Sequence, residues 1–279
     1  MIQSFQKIIE QLVALHPEEP LFHLILADMY AKDEKHKLAI DEYYLALYSG
    51  VIKDDYVYNK LIQMYWQQEK IADLLAIVLE AIERFPFSPE FYYYQGLAFS
   101  TQDKQEQCLE SLLKGKDYVF DNDLLKSDFY SLIGDAHHKL ENHKESDKSY
   151  IKALKHNPDN ILVLNNYSYY LSQRDEDLLK AKEMITKCLA LSENNPSASY
   201  LDTYAWVLYK LGQYSLAREQ MEKALKITKN SPVMFDHYGD ILYKLGMKED
   251  AIIYWNKSYE LDSTNLKLKD KIINNSENE

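Results

Sequence analysis

An all-α fold, an α-α superhelix of about seven helical hairpins, is what three features of the sequence predict. The stretch LDTYAWVLYKLGQYSLAREQMEKALKI, Leu201 to Ile227, returns as FDHYGDILYKLGMKEDAIIYWNKSYEL, Phe235 to Leu261. Asp202, Tyr204, Leu208, Tyr209, Lys210, Leu211, Gly212, Ala217 and Lys223 each recur 34 residues later. A register of Ala27, Ile62, Gly96, Gly134, Ser168, Ala205 and Gly239 carries the repetition through the chain, at spacings of 35, 34, 38, 34, 37 and 34. Repetition at such a period marks stacked supersecondary units. Composition agrees: 46% hydrophobic residues among 279 fill a packed interior, while seven glycines and seven prolines are too few for the turns of an all-β protein.

The elements follow in order along one array, residues 1–279. Residues 1–19 place Phe5, Ile8, Ile9, Leu12, Val13 and Leu15 on a helical stripe before HPEEP. They read as the second helix of a hairpin whose first helix is missing, which suggests a piece of a longer protein. Seven hairpins then fill 20–262. Each breaks at a Gly, Asp or Glu, as in KLGQY, KLGMK, KLENH and QQEKI. Twelve or thirteen positions after each register residue comes another, mostly small one: Ala39, Leu74, Cys108, Ser146, Ala181, Ala217 and Ala251. Seven further on lie Ala46, Ala81, Gly115, Ala153, Cys188, Ala224 and Ser258. Small side chains at fixed spacing let two helices pack with their backbones close together. Extra residues near Lys116–Asp123, Arg174–Leu179 and Ser192–Pro196 should lengthen turns at little cost. Residues 263–274, with Leu266, Leu268, Ile272 and Ile273 between charges, read as a capping helix, and 275–279 as a frayed tail.

The pattern resembles the tetratricopeptide repeat (TPR), a helix A, a short turn and a helix B in about 34 residues. The last repeat supplies Phe235, Tyr238, Gly239, Leu242, Ala251, Trp255 and Ser258 at the family's large, small and aromatic positions. The fourth supplies Tyr130, Ile133, Gly134, Tyr150, Ala153 and Pro158, and the second Tyr65, Ala81 and Pro86. The resemblance implies a non-catalytic scaffold or adaptor that binds a peptide segment or partner domain in a concave groove lined by helix A. At the family's groove positions stand Asn59, Gln63, Trp66, Tyr93, Leu97, Asp135, His138, Lys139, Asn165 and Tyr169, then Asp202, Trp206, Tyr209, Lys210, Asp236, Asp240, Tyr243 and Lys244. Aromatic faces and amides suit an extended peptide. Against this, Asp135–Lys139 and Asp240–Lys244 have the spacing of ordinary ion pairs on a wet helix face. One subclass grips carboxylates with a cation at position 5 of helix A. That position holds Leu24, Asn59, Tyr93, Ser131, Asn165, Asp202 and Asp236, so clamping of that kind is not expected, and the aspartates favour a ligand with amide or basic groups.

A formal charge of −12 disfavours nucleic acid and anionic membranes as partners. No apolar run approaches the roughly 20 residues that cross a bilayer. Cys108 and Cys188 fall in small-residue slots rather than in a disulfide framework. His137, His138 and His143 are badly placed to share a metal, because adjacent helical residues diverge by about 100°. No phosphate loop, nucleophile elbow or CxxC occurs, so no cofactor, metal or enzymatic activity is expected. The alternative to an adaptor is a regulatory or targeting module cut from a larger protein whose activity lies elsewhere. The resemblance to bacterial TPR arrays leans towards the cell envelope over the cytoplasm, and the N-terminal helix offers a surface for self-association.

Overall fold

A computed structural model describes residues 2–49, 55–192 and 195–276, and within them the regular structure is helical, with sixteen α-helices, one 3-10 turn and no strand. The chain divides into two compact units, 1–122 and 123–279. The first begins with α1 (Ile2–Leu15). Three hairpins follow: α2 (Pro20–Lys32) with α3 (His36–Tyr48), α4 (Tyr56–Gln67) with α5 (Ile71–Arg84), and α6 (Pro89–Thr101) with α7 (Gln105–Gly115). A 3-10 turn at Lys116–Tyr118 takes up the first expected insertion. The second unit holds four hairpins: α8 (Asp123–Lys139) with α9 (His143–His156), α10 (Ile161–Gln173) with α11 (Leu178–Leu191), α12 (Ala198–Lys210) with α13 (Tyr214–Ile227), and α14 (Pro232–Lys244) with α15 (Lys248–Leu261). It ends in α16 (Leu266–Ser276).

The helices stop and turn for a local reason. In all seven hairpin turns the second residue after helix A adopts a left-handed φ, at Glu34, Glu69, Asp103, Glu141, Asp175, Gly212 and Gly246, and the α10–α11 turn adds a second at Asp177. The amide of the second residue after helix A and the next bond back to the last turn of that helix. Glu69 N–H reaches the Trp66 carbonyl (3.0 Å) and Lys70 N–H the Tyr65 carbonyl (2.9 Å), the arrangement that satisfies otherwise orphaned carbonyls. Helix starts are fixed as locally. Pro20, Pro89 and Pro232 open α2, α6 and α14, where a missing N–H costs nothing. The Asn160 side chain caps α10 by accepting from the Val163 amide at 3.2 Å.

All twenty-one register positions picked from the sequence are buried. Their partners explain their size. A Cβ on Gly96 would lie 2.6 Å from Leu112, one on Gly134 2.8 Å from Tyr150, and one on Gly239 would run into the Trp255 indole. Glycine on helix A thus makes room for the large residue sixteen positions on, across the hairpin. Tyr58, Phe85 and Phe91 join neighbouring hairpins in the first unit through edge contacts of 5.9 and 6.2 Å. Buried His23 ties α2 to both sides: its Nε2–H donates to the Pro17 carbonyl (2.9 Å), and Nδ1 lies 2.6 Å from the Glu42 carboxylate.

Three sequence expectations concern the two ends and one turn. The terminal helix reaches Ser276, so Asn275 and Ser276 are helical rather than frayed, and 277–279 lie outside the described residues. Residues 193–194, in the expected long turn before Pro196, also lie outside them. The N-terminal segment is helical as read, with Ile9 buried while Phe5, Ile8 and Leu15 are exposed.

Candidate functional site

In the first unit the helix-A stripe is open. A groove of about 590 Å³ is lined by Asp55, Tyr56, Asn59, Lys60, Ile62, Gln63 and Trp66 of α4 and its N-cap, with Tyr94 and Leu97 of α6. Four residues selected from the sequence, Asn59, Gln63, Trp66 and Leu97, meet there. Tyr93 stands beside Tyr94, with ring centroids 6.3 Å apart, but outside that lining. Trp66 is 37% exposed, a large indole face turned to solvent at a wall that also carries an amide. A second cavity of about 300 Å³ lies on the other side of the Tyr56, Lys60 and Gln63 side chains, which line both. Asp28, Ala31, Lys32, His36, Tyr43, Met64 and Gln67 complete it. The stripe expected from the sequence starts at the second repeat and so leaves out Asp28 and Lys32, which the same register places on the stripe of the first repeat, and Lys60 and Tyr94, one position beyond the expected ones.

In the second unit the same stripe is mostly engaged by the chain itself. Asp135 accepts from the hydroxyls of Tyr150 (2.5 Å) and Tyr170 (3.4 Å) and from the Asn166 amide (3.2 Å). Burial raises its carboxyl above the usual range despite these bonds. His138 stacks on Tyr170 at 3.6 Å; burial, with the charges of His143 and Arg174, holds its imidazole down to about 4. Asn165 is buried and donates to Asn166, while Tyr169 sits 6.2 Å from His237. Asp202 bonds His237 at 2.8 Å, and Trp206 stacks between His237 (4.1 Å) and Tyr209 (4.7 Å). Lys210 pairs with Asp175 at 2.9 Å. Asp236 and Asp240 both accept from Lys271 of α16 at 2.6 Å, and Asp240 also accepts from the Trp255 indole at 3.0 Å. Tyr243 packs 5.5 Å from Trp255; Lys139 and Lys244 are exposed.

Two rules, both missed in the sequence, organise these contacts. An aspartate at position 9 of helix A binds the polar tip of an aromatic fifteen residues on, in Asp28–Tyr43, Asp135–Tyr150 and Asp240–Trp255. The trio Asp202, Trp206 and His237 returns 34 residues later as Asp236, Asp240 and Lys271. The ligand with amide or basic groups inferred for these aspartates thus has counterparts inside the chain. Asp135 and Asp240 hydrogen-bond these partners because a side chain facing other helices exchanges water for a fixed donor, while the Lys139 charge, four residues on, still acts on Asp135.

Cys108 and Cys188 are buried and not joined in a disulfide, and burial pushes the Cys188 thiol up to about 11. Among the described residues no three His, Cys, Asp or Glu side chains gather as a metal-ligand set, and no helix is long and apolar enough to cross a membrane.

Tandem hairpins with a 34-residue register define a class, the helical repeat proteins. Within that class the chain belongs to the tetratricopeptide repeat family: one family model matches residues 44–263 and another residues 6–55. It is similar to a TPR repeat-containing protein of Pseudomonas aeruginosa, 28% identical over 145 residues that make up 52% of this chain and 23% of that one. A TPR repeat-containing protein of Methanocaldococcus jannaschii is 25% identical over 258 residues, 88% of this chain and 43% of the other. The chain therefore spans less than half the length of either relative. Among solved structures, the Cut9–Hcn1 hetero-tetramer of the APC/C has a chain that aligns with a TM-score of 0.75 at 13% identity, over 98% of this chain and 52% of that one, a likeness of fold.

Proposed function

We propose that the protein is a non-catalytic interaction scaffold, and that the groove between α4 and α6 holds an extended segment of a partner protein. The observation that carries this is the convergence of Asn59, Gln63, Trp66 and Leu97 on one open groove, with Trp66 partly exposed in it. Flat apolar surface takes up side chains, and the amides can meet main-chain groups whatever the sequence of the segment. The family supports the reading, since TPR arrays are in general protein-binding modules. A second reading, a module within a larger protein, is favoured by the chain spanning only 23% and 43% of its relatives. Self-association through Phe5, Ile8 and Leu15 of α1 belongs to the same proposal and is checked by light scattering of a Phe5→Ser variant.

Trp66 reports on the groove directly. Its emission should shift to the blue when a bound segment covers the indole, while Trp206 is already stacked between rings and Trp255 buried. Trp66→Ala should weaken segment binding about tenfold or more, as expected for an aromatic anchor. Unchanged binding by that variant would remove the groove from consideration.

A further inference from the structure

The second helix of the first hairpin carries a face that the groove does not use. Asp41, Tyr44, Leu45 and Tyr48 of α3 share one side of that helix and, with Pro17, Glu18 and Ser49, line a cavity of about 620 Å³. None of these residues lines the groove between α4 and α6. Leu45 is 54% exposed and Tyr48 64%, and large apolar groups gathered around one concavity mark a docking surface rather than scattered exposure. Tyr44 and Tyr48 stack with ring centroids 5.6 Å apart and 14° between planes. Both hydroxyls are held, Tyr44 with the Tyr65 hydroxyl at 3.1 Å and Tyr48 by donating to Glu80 at 3.0 Å, so the rings form a fixed slab. The lining adds two carboxylates, Glu18 and Asp41, and no cation. Asp41 has no hydrogen-bond or ion-pair partner among the described residues, although Lys37 lies one turn before it. Glu18 meets the His16 imidazole at 3.7 Å, a surface contact that leaves its charge in water. The sign extends beyond the cavity: residues 1–122 hold eleven Lys and Arg against twenty Asp and Glu, which is −9 of the chain's −12.

We propose that this cavity receives an arginine side chain from a basic segment of a partner protein, a second docking surface built on helix B rather than on helix A. It uses other residues than the peptide groove and does not depend on it. A guanidinium is planar and weakly hydrated, so it lies flat on an aromatic face while its fork of N–H groups donates to carboxylates. The Tyr44–Tyr48 slab supplies the face, and Glu18 and Asp41 the acceptors. An exposed ion pair alone contributes little, so contact with the rings and with Leu45 holds the visitor, and the two carboxylates select its sign. A lysine ammonium is compact and more strongly hydrated and uses the slab less well. The acidic surface of unit 1–122 draws basic segments in and turns acidic ones away.

Immobilised heptapeptide libraries with a fixed centre of Arg, Lys or citrulline and random flanks, probed with the full chain, test this. Arg centres should be retained over Lys, and both over citrulline, which keeps the shape of Arg without its charge. Raising salt should weaken retention. The Glu18→Gln/Asp41→Asn variant should bind the best Arg peptide about tenfold less tightly, and Tyr48→Ser should narrow the margin of Arg over Lys. All three side chains are at the surface, and circular dichroism checks that the fold survives. Trp66→Ala should leave the Arg preference unchanged. An Arg preference lost in Trp66→Ala but kept in the double variant belongs to the groove between α4 and α6; it overturns this inference and leaves the groove standing. Equal retention of citrulline, absence of retention, or an Arg preference that survives both the double variant and Tyr48→Ser overturns it as well. A salt-sensitive dimer, seen by light scattering and abolished by the double variant, would make the occupant a second copy of this chain and overturn the assignment to a partner.

Discussion

Glu34, Glu69, Glu141, Asp103 and Asp175 hold left-handed φ values between 55° and 59°, a region that costs a residue with a Cβ about 1–2 kcal/mol. Glycine avoids that cost but loses about 0.5–1 kcal/mol more backbone entropy on folding. Glu69→Gly or Glu141→Gly should therefore stabilise the protein by about 0.5–1 kcal/mol in urea denaturation. Gly212→Ala and Gly246→Ala should each destabilise it by about 1 kcal/mol, purely through conformation, because a Cβ at either meets nothing within 4 Å. The sequence revealed where these turns fall but not that all seven share one backbone state, since glutamate does not announce it. His138 is a second residue-scale case. Its imidazole is held down to about 4, so between an unfolded value near 6.5 and that point the unfolded chain binds the extra proton. Its contribution to stability is fully present above about pH 6.5 and is lost as pH falls towards 4. His138→Phe, which keeps a ring on Tyr170, should flatten that part of the stability–pH curve. An unchanged curve would show that His138 does not titrate with folding.

Pairs of helices are matched across each turn by size, and the matching can be exchanged. Where the last hairpin sets Gly239 against Trp255, the one before sets Ala205 against Met221 at the same register, and all four are buried. Gly239→Ala alone drives a methyl into the indole of a fully packed Trp and should cost about 2–3 kcal/mol. Trp255→Met alone leaves a cavity and should cost about 2–4 kcal/mol. Combined, the two rebuild the Ala205–Met221 pairing, so the double variant should be less destabilised than the sum by at least about 1 kcal/mol. Additive losses in a denaturant series would mean that the size rule is coincidence. Small residues at the register were plain in the sequence because sterics alone fixes them. The polar links between hairpins, such as Asp202–His237 and Asp236–Lys271, were not. They depend on which side chains project across a helix-helix boundary, about 35 residues away, and a single stripe drawn on helix A treats every such residue as facing a ligand.

At the scale of the molecule, the repeat period made the fold legible almost throughout, whereas the stripe drawn on helix A coincides with an open groove only in the first unit. Asn59, Gln63 and Trp66 line an open groove; Trp206, Asp236 and Asp240, chosen by the same rule, meet groups of the chain itself. Composition cannot separate the two, because an aromatic or an aspartate serves packing and docking equally well. The packing also bears on how the chain unfolds. The core of unit 1–122 runs from Ala27 to Ala98, and the two cores of unit 123–279 run from Tyr150 to Val207 and from Ala198 to Leu268, with no buried cluster spanning Asn122 among the described residues. In a repeat array stability is close to a sum of local terms, so a piece with complete cores should fold by itself. Residues 123–279 expressed alone should show the helical circular dichroism of four hairpins and a cooperative urea transition, with a slope smaller than that of the full chain because less surface is exposed. Residues 1–122 should do the same at lower stability, having three hairpins and one unpaired helix, and should retain the Trp66 emission shift on segment binding. A 123–279 fragment that lacks fixed near-ultraviolet signals would mean that its cores need the other unit to pack, and the additive picture would fail for this chain.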